Sequence, residues 1–258
     1  MQPGKLFLVG LPVGNWEDMS VRAYKYIKNA KNIVIEREEA FENIWPALGM
    51  EKPNVNIVSI EMDSNGGEPG VAYELKNMPV IIELLKSGED VYLISDDGMP
   101  GVADPGALIV SEAIKEGIEI TSTPGPSVAI AAVAVTGTMH NFSFESFLPF
   151  TKTDRIKFLT ERKHMLSPMV LVLRNVKRNE IDGLPPVFHE EIPDFLSEAV
   201  EIFGEHRHAA LCYNLTMPTE KIVRGTLRYL KEYFDITERN TQDLISIVID
   251  KPHGNMAI

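Results

Sequence analysis

Three carboxylates fall within one short segment rich in glycine and proline, Ser95-Asp-Asp-Gly-Met-Pro-Gly-Val-Ala-Asp-Pro-Gly106. Asp96, Asp97 and Asp104 offer acceptors to ribose hydroxyls or to an amino group, and an acid-rich loop suits a cationic or hydroxyl-bearing ligand better than a nucleotide phosphate. Gly98, Gly101 and Gly106 allow close backbone approach or positive φ. Pro100 and Pro105 stiffen the loop and remove two amide donors. Two further loops have the same character, Thr123-Pro-Gly-Pro-Ser127 and Gly10-Leu-Pro-Val-Gly-Asn15. The plainer alternative is a set of turns, with Asp104 capping a helix that starts at Pro105 and Ser127 capping the Ala-rich helix after it. No Gly-x-Gly-x-x-Gly follows the first strand and there is no phosphate-loop Gly-Lys-Ser/Thr, so the common dinucleotide and ATP fingerprints are missing.

Each loop comes where a hydrophobic strand ends. Lys5–Val9, Val91–Ile94 and Ile118–Thr121 run into the three loops. In open α/β sheets, ligands bind in the crevice beyond the carboxyl ends of the strands. Strand patterns at Leu6–Val9, Asn32–Ile35, Val55–Ile60, Val91–Ile94 and Ile118–Thr121 alternate with helical ones. The helices are predicted near Val21–Asn29, Glu38–Leu48, Ala72–Leu85, Pro105–Lys115 and Ser127–Thr136. This alternation predicts a mostly parallel sheet with helices on both faces. Gly88 and Gly117 are expected to close helices just before strands. Ser64–Gly70 reads as a surface loop. After the strand pattern Asn141–Phe147, a proline and a polar run place a domain boundary at about Thr151, giving domains 1–150 and 151–258. The second is a mixed α/β domain, with strands expected at Met169–Leu173, Ala209–Tyr213, Lys221–Val223 and Leu244–Ile249. Its helices are expected at Asp154–His164, Asp194–Phe203 and Thr226–Tyr233.

The chain has 258 residues, 44% hydrophobic and 24% charged, as expected of a soluble globular protein. No apolar run reaches the roughly 18–20 residues of a membrane helix, and Met1-Gln-Pro-Gly leads straight into a strand rather than a signal peptide. A single cysteine, Cys212, excludes an internal disulfide and a cysteine metal cluster. The expectation is a cytoplasmic protein with no membrane partner. A net charge of −12 counts against avid nonspecific nucleic-acid binding, and no DNA partner is expected. A local basic patch still leaves RNA open. Histidine spacing suggests no metal site.

On these residues the chain resembles the tetrapyrrole methylase superfamily of S-adenosylmethionine-dependent methyltransferases. It is most similar to the branch that methylates a cytidine ribose 2′-oxygen in small-subunit ribosomal RNA. The matching residues run in order through the first 150: Leu11-Pro-Val-Gly-Asn15 with Glu17-Asp18 and Arg22-Ala, Ser95–Gly106, Pro124–Ser127, and Phe144-Glu-Ser-Phe-Leu-Pro149. In the second of these, Asp97 stands for Ala and Met99 for Thr; in the third, Val128 follows in place of Ala. The resemblance implies two α/β domains with S-adenosylmethionine held in the cleft between them, and a homodimer. It also implies cofactor contacts from Pro12, Gly14, Ser95, Asp96, Gly98, Pro100, Val102, Asp104, Thr123, Pro124, Ser127, Asn214, Leu215 and Thr216. The small ribosomal subunit or its RNA is the implied partner. A sulfonium cation agrees with the acidic loop.

The departures fall on charged positions. After the second strand the branch has Glu-Asp-Thr-Arg; here Glu36 is kept, followed by Arg37-Glu38-Glu39. Its Tyr-Glu-Ser-x-x-Arg is Leu173–Arg178 here, and its Arg-Glu-Leu-Thr-Lys is Tyr213-Asn-Leu-Thr-Met217. Glu220 and Arg224-Gly-Thr-Leu227 are retained. The family's short C-terminal extension has no counterpart beyond Lys251–Ile258. One basic cluster, Lys152, Arg155, Lys157, Arg162 and Lys163, with Arg174, Lys177 and Arg178 beyond it, is either a solvated face or a rim that meets RNA. Cys212 is expected in the core. In-line methyl transfer to a hydroxyl needs a proton acceptor. Glu36 is the favoured catalytic residue, by its position in the family, over Asp18 and Asp97. The alternatives are methylation of a tetrapyrrole, another small molecule or a peptide, or cofactor binding without catalysis.

Overall fold

The computed structural model describes residues 2–36, 38–49, 51–52, 54–60, 71–138, 141–149, 151–173, 191–237 and 244–252. The expected loop Ser64–Gly70, Arg37 and the Arg174–Arg178 stretch lie outside them. The chain divides into two compact units between Ser127 and Val128.

The first unit is a parallel sheet of β1 (Leu6–Val9), β2 (Asn32–Ile35), β3 (Asn56–Ser59), β4 (Val91–Ile94) and β5 (Ile120–Thr123), in the order β3-β2-β4-β1-β5. Among the described residues it is flanked by α1 (Val21–Asn29), α2 (Glu38–Ala47), α3 (Val71–Lys86) and α4 (Ala107–Lys115). Side chains alternate between the faces of a strand, and here both faces are covered. Leu6, Val34, Val91 and Leu93 pack under α3 and α4, against Ile81, Leu85, Ile109 and Ala113. Val9, Ile33, Ile35 and Ile94 face the other way, against Ala23 and Ile27 of α1 and Phe41, Ile44 and Trp45 of α2. Near-continuous apolar strands are what a doubly covered parallel sheet requires.

β5 starts later than the expected Ile118. The Ile118 amide donates to the Ala113 carbonyl at 2.9 Å, so Ile118 closes α4, and the ladder opens with Leu6 N donating to Glu119 O. Gly117, at φ 67°, and Gly88, at φ 94°, end their helices as expected. The start of α4 also differs. Gly106 stands at its N-cap with φ 125° and no side-chain cap, and the Pro105 carbonyl accepts from Gly101 N at 2.9 Å. Pro105 therefore belongs to the loop, and Asp104 does not cap the helix.

The second unit carries a mixed sheet in the order β6-β7-β10-β8-β9. Its strands are β6 (Ser143–Phe147), β7 (Met169–Leu173), β8 (His208–Tyr213), β9 (Lys221–Thr226) and β10 (Ile245–Ile249). β6 runs parallel to β7, and the other pairs are antiparallel. One face, with Leu171, Leu211 and Ile247, meets α6 (Lys152–Arg162), α7 (Glu191–Phe203) and α8 (Leu227–Thr237). The other, with Val170, Ala210, Cys212 and Val248, packs on Ala129 and Ala132 of α5 (Val128–Thr136). Because α5 covers the second sheet, the division comes earlier than the expected Thr151. Thr151 instead caps α6, its Oγ1 accepting from Asp154 N at 3.1 Å. Cys212 is buried in β8 as expected, and burial pushes its thiol up to about 12.

Candidate functional site

The strand order sets the place. From β1 the chain crosses to β2 on one side, and from β4 it crosses to β5 on the other. The crevice between the carboxyl ends of β1 and β4 is thus the topological switch point, where open α/β sheets take ligands. The loops after both strands meet there. Leu11 and Gly98 form an isolated antiparallel bridge, with Leu11 N to Gly98 O at 2.7 Å and Gly98 N to Leu11 O at 3.1 Å.

The loop after β5 joins them. Gly10 N donates to Thr123 Oγ1 at 3.1 Å, and that hydroxyl donates to Leu8 O at 3.3 Å. Thr123 is buried, so its side chain clamps the end of β1 rather than facing outward. Next to it, Gly10 and Gly125 touch. A Cβ on Gly10 would lie 2.7 Å from Gly125 Cα and 2.5 Å from Met99 Sδ; one on Gly125 would lie 2.7 Å from Gly10 Cα. Real Cβ atoms do not come so close, so glycine at both positions is what lets the three loops interlock. Met99 is the residue that sequence reasoning missed; its only signal was the replacement of a Thr in the motif.

Within Ser95–Gly106 the backbone turns repeatedly into the left-handed region, at Gly98 (φ 68°), Gly101 (79°), Ala103 (65°) and Gly106 (125°). Ala103 does so with a side chain, which costs of order 1 kcal/mol and is common where a loop is shaped for a ligand. Ser95 is buried and donates to Asp97 O at 2.9 Å. Pro100 is buried and Val102 is exposed. In the first loop Pro12 is buried, Gly14 half-buried, and Asn15 accepts from Glu17 N at 3.0 Å to start a short 3-10 turn, Trp16–Asp18. Asp18 is exposed on that turn. Pro124 is exposed and Ser127 half-buried.

The acids gather on the other side of β4. Glu36 follows β2 and Asp96 follows β4, and together they line a small hollow whose other walls are Ile35, Phe41, Ile44, Ile94 and Ser95. Asp104 is pushed up to about 7, first by burial and then by the negative charges of Glu36, Asp97 and Asp96. Four carboxylates are close enough to feel one another, and the region is poised to accept positive charge.

Asn214, Leu215 and Thr216 belong to the second unit and sit after β8. Asn214 (φ 47°) is held by Leu244 N to its Oδ1 at 2.9 Å and by its Nδ2 to Thr219 Oγ1 at 3.0 Å. Thr216 (φ 69°) donates its amide to Glu220 Oε2 at 2.8 Å, and its Oγ1 is buried without a hydrogen-bond partner. A β-branched residue in this region is an outlier. Leu215 is buried against the α5 side of the sheet.

Among the described residues of the expected basic cluster, two arginines are taken up in ion pairs. Arg155 is 1% exposed and makes a two-pronged ion pair with Glu198, Nε to Oε2 at 3.0 Å and Nη2 to Oε1 at 2.8 Å. Arg162 pairs with Glu145 at 2.6 Å and lies 3.5 Å over the Phe158 ring. Lys152, Lys157 and Lys163 stay exposed.

The model of the tetrapyrrole (corrin/porphyrin) methylases matches residues 5–231. A Thermotoga maritima protein named ribosomal RNA small subunit methyltransferase I is 37% identical over 236 residues, which cover 90% of this chain and 92% of that protein. A protein of the same name from Xylella fastidiosa (strain Temecula1) is 32% identical, over 89% of this chain and 75% of that one. The crystal structure of diphthine synthase superposes with a TM-score of 0.66 at 18% identity, over 96% of this chain and 90% of that chain, and so shares the fold. The chain therefore belongs to the tetrapyrrole methylase family and is a methyltransferase, a family membership that implies S-adenosylmethionine as methyl donor.

Proposed function

We propose that this chain binds S-adenosylmethionine at the loops after β1, β4 and β5 and methylates a ribose 2′-hydroxyl of small-subunit ribosomal RNA. The observation that carries the reading is the meeting of Gly10, Met99 and Gly125 at the switch point, beside Asp104, which burial first and the charges of Glu36, Asp97 and Asp96 next push up to about 7. That crowding is the fit to the cofactor: a sulfonium cation relieves the mutual repulsion of Glu36, Asp96, Asp97 and Asp104, where a phosphate would add to it. The cofactor supplies an electrophilic methyl group. The chain supplies the rest. Pro12, Gly14, Ser95, Asp96, Gly98, Pro100, Val102, Asp104, Thr123, Pro124 and Ser127 form or support the binding loops. Glu36, at the hollow, accepts the proton that the hydroxyl gives up. The RNA substrate is supported by the names of the relatives above, and a homodimer in the cytoplasm by the family resemblance.

Two measurements test this. Calorimetric titration with S-adenosylhomocysteine should give micromolar binding, and Gly125→Val should abolish it, because the new side chain would push into Gly10. Unmethylated small subunits incubated with labelled cofactor should then gain label at a position resistant to alkaline cleavage, the mark of a blocked 2′-hydroxyl. Binding unaffected by Gly125→Val would mean the site is elsewhere. Label on a base, or none on RNA, would remove the ribose reading.

A further inference from the structure

α1 carries a line of cations that the methyl-transfer chemistry does not use. Arg22, Lys25, Lys28 and, one residue past the helix C-cap, Lys31 recur every third residue, all exposed, and no Asp or Glu lies between Val21 and Lys31. At about 100° and 1.5 Å per residue, Arg22 to Lys28 cover an arc of about 120° and a length of about 9 Å. None of the four forms an ion pair among the described residues. Arg22 Nη2 donates to Ser122 O at 3.3 Å, and Lys28 Nζ lies 6.0 Å from the Tyr24 ring centroid.

Fold stability accounts for only part of this arrangement: Lys28, in the last turn, suits the helix dipole, but the rest of the line does not gain from it. Like charges three residues apart on a helix repel. A cation in the first turn, where Arg22 sits, opposes the helix dipole, and that turn holds no acid to compensate. The line also stands out against a chain with net charge −12. Its amino-terminal end is tied to Ser122, the residue before Thr123, so it starts beside the loop that closes on Gly10.

We propose that this edge of α1 is the surface on which the phosphate backbone of the RNA substrate docks, leading the acceptor strand toward the loops after β1 and β5. The proposal rests on the ribosomal RNA reading above and adds to it the surface that receives the RNA. Charge complementarity selects the partner: a row of lysines and arginine with no internal carboxylate matches a row of phosphates. Such contacts give affinity through counterion release and carry no sequence preference.

The test is binding of the full chain to unmethylated small ribosomal subunits over a range of potassium chloride, with the triple variant Lys25→Glu, Lys28→Glu, Lys31→Glu. Each lost phosphate contact flattens the log–log salt dependence by about 0.7 on single-stranded RNA, so the expected change is about 2, with affinity falling roughly tenfold or more near physiological salt. S-adenosylhomocysteine affinity should not change, and the Lys→Gln triple, which keeps helix propensity, should show most of the same flattening. A variant with wild-type affinity and slope overturns the surface while leaving the RNA reading in place. Wild-type protein that does not bind subunits at all overturns both. Equal or tighter binding to phosphatidylserine vesicles overturns the choice of RNA as the partner.

Discussion

α6 and α1 both present basic residues at helical spacing, but their charges end differently. On α6, Arg155 points inward to Glu198 of α7, and Arg162 to Glu145 of β6. Each guanidinium has a carboxylate matched to it, and these pairs, together with buried Leu159, fasten the helix to its unit. On α1 the inward residues are Ala23 and Ile27, the helix is held by apolar packing, and the cations are left to solvent. Fixing an element by buried charge uses up the charge, whereas fixing it by apolar side chains leaves the charge available to a partner. A basic count along a sequence therefore overstates α6 and understates α1.

The largest effect should come from breaking the fastening. Arg155→Ala strands Glu198, which is 6% exposed, and loss of one member of a buried pair costs about 3–5 kcal/mol. Urea denaturation should show that loss, and the double replacement Arg155→Leu with Glu198→Leu should recover much of it, because matched apolar side chains avoid the buried charge altogether. If Arg155→Ala instead left stability intact and weakened RNA binding, α6 would be the docking helix and the contrast would be reversed.

Asp104 sharpens the comparison from the acid side, since Glu198 faces a guanidinium and Asp104 faces Glu36, Asp97 and Asp96. Its carboxyl, ordinarily near 4, is raised to about 7 in the folded chain. Between those values the native state binds more protons than the unfolded one, so stability falls as pH rises through this window and the loss is complete above about 7. The full displacement corresponds to about 4 kcal/mol; solvent screening of a partly exposed group reduces that to about 2. Asp104→Asn, neutral throughout, should match the wild type near pH 4 and be more stable by about 2 kcal/mol at pH 8. A wild-type pH profile in the variant would mean that the raised group is another one. The same titration predicts that S-adenosylmethionine gains affinity relative to S-adenosylhomocysteine as pH rises through 7, because only the former carries the sulfonium.

The strands of the first sheet could be read in the sequence because a doubly covered parallel strand is apolar throughout: Leu6–Val9, Asn32–Ile35 and Val91–Ile94 stand where the pattern placed them. The ends of elements were harder to read where a backbone bond outweighed a pattern. Ile118 looks like a strand residue but serves the C-terminus of α4, and Asp104-Pro105 looks like a helix start but is held in the loop by Gly101. The loops were visible as glycine and proline, yet the contact of Gly10 with Gly125 joins residues far apart in the chain, and no local pattern reports it. Pairing was the least legible property. Nothing near Arg155 in sequence announces Glu198, and the same blindness hid that Arg22, Lys25, Lys28 and Lys31 have no ion-pair counterpart among the described residues.

The smallest effect expected is also the cleanest control. Lys152 and Lys157 of α6 and Lys163 at its C-cap are left exposed after Arg155 and Arg162 turn inward. On the present reading they form a solvated face. Reversing all three to Glu should alter stability by no more than about 0.5 kcal/mol per site, as for other exposed positions. It should change the salt dependence of subunit binding by well under the 0.7 expected for even one lost phosphate contact. The matched experiment on Lys25, Lys28 and Lys31 removes the same number of positive charges from the same protein. A difference in slope between the two triples therefore reports where the charges are, since the change in net charge is identical.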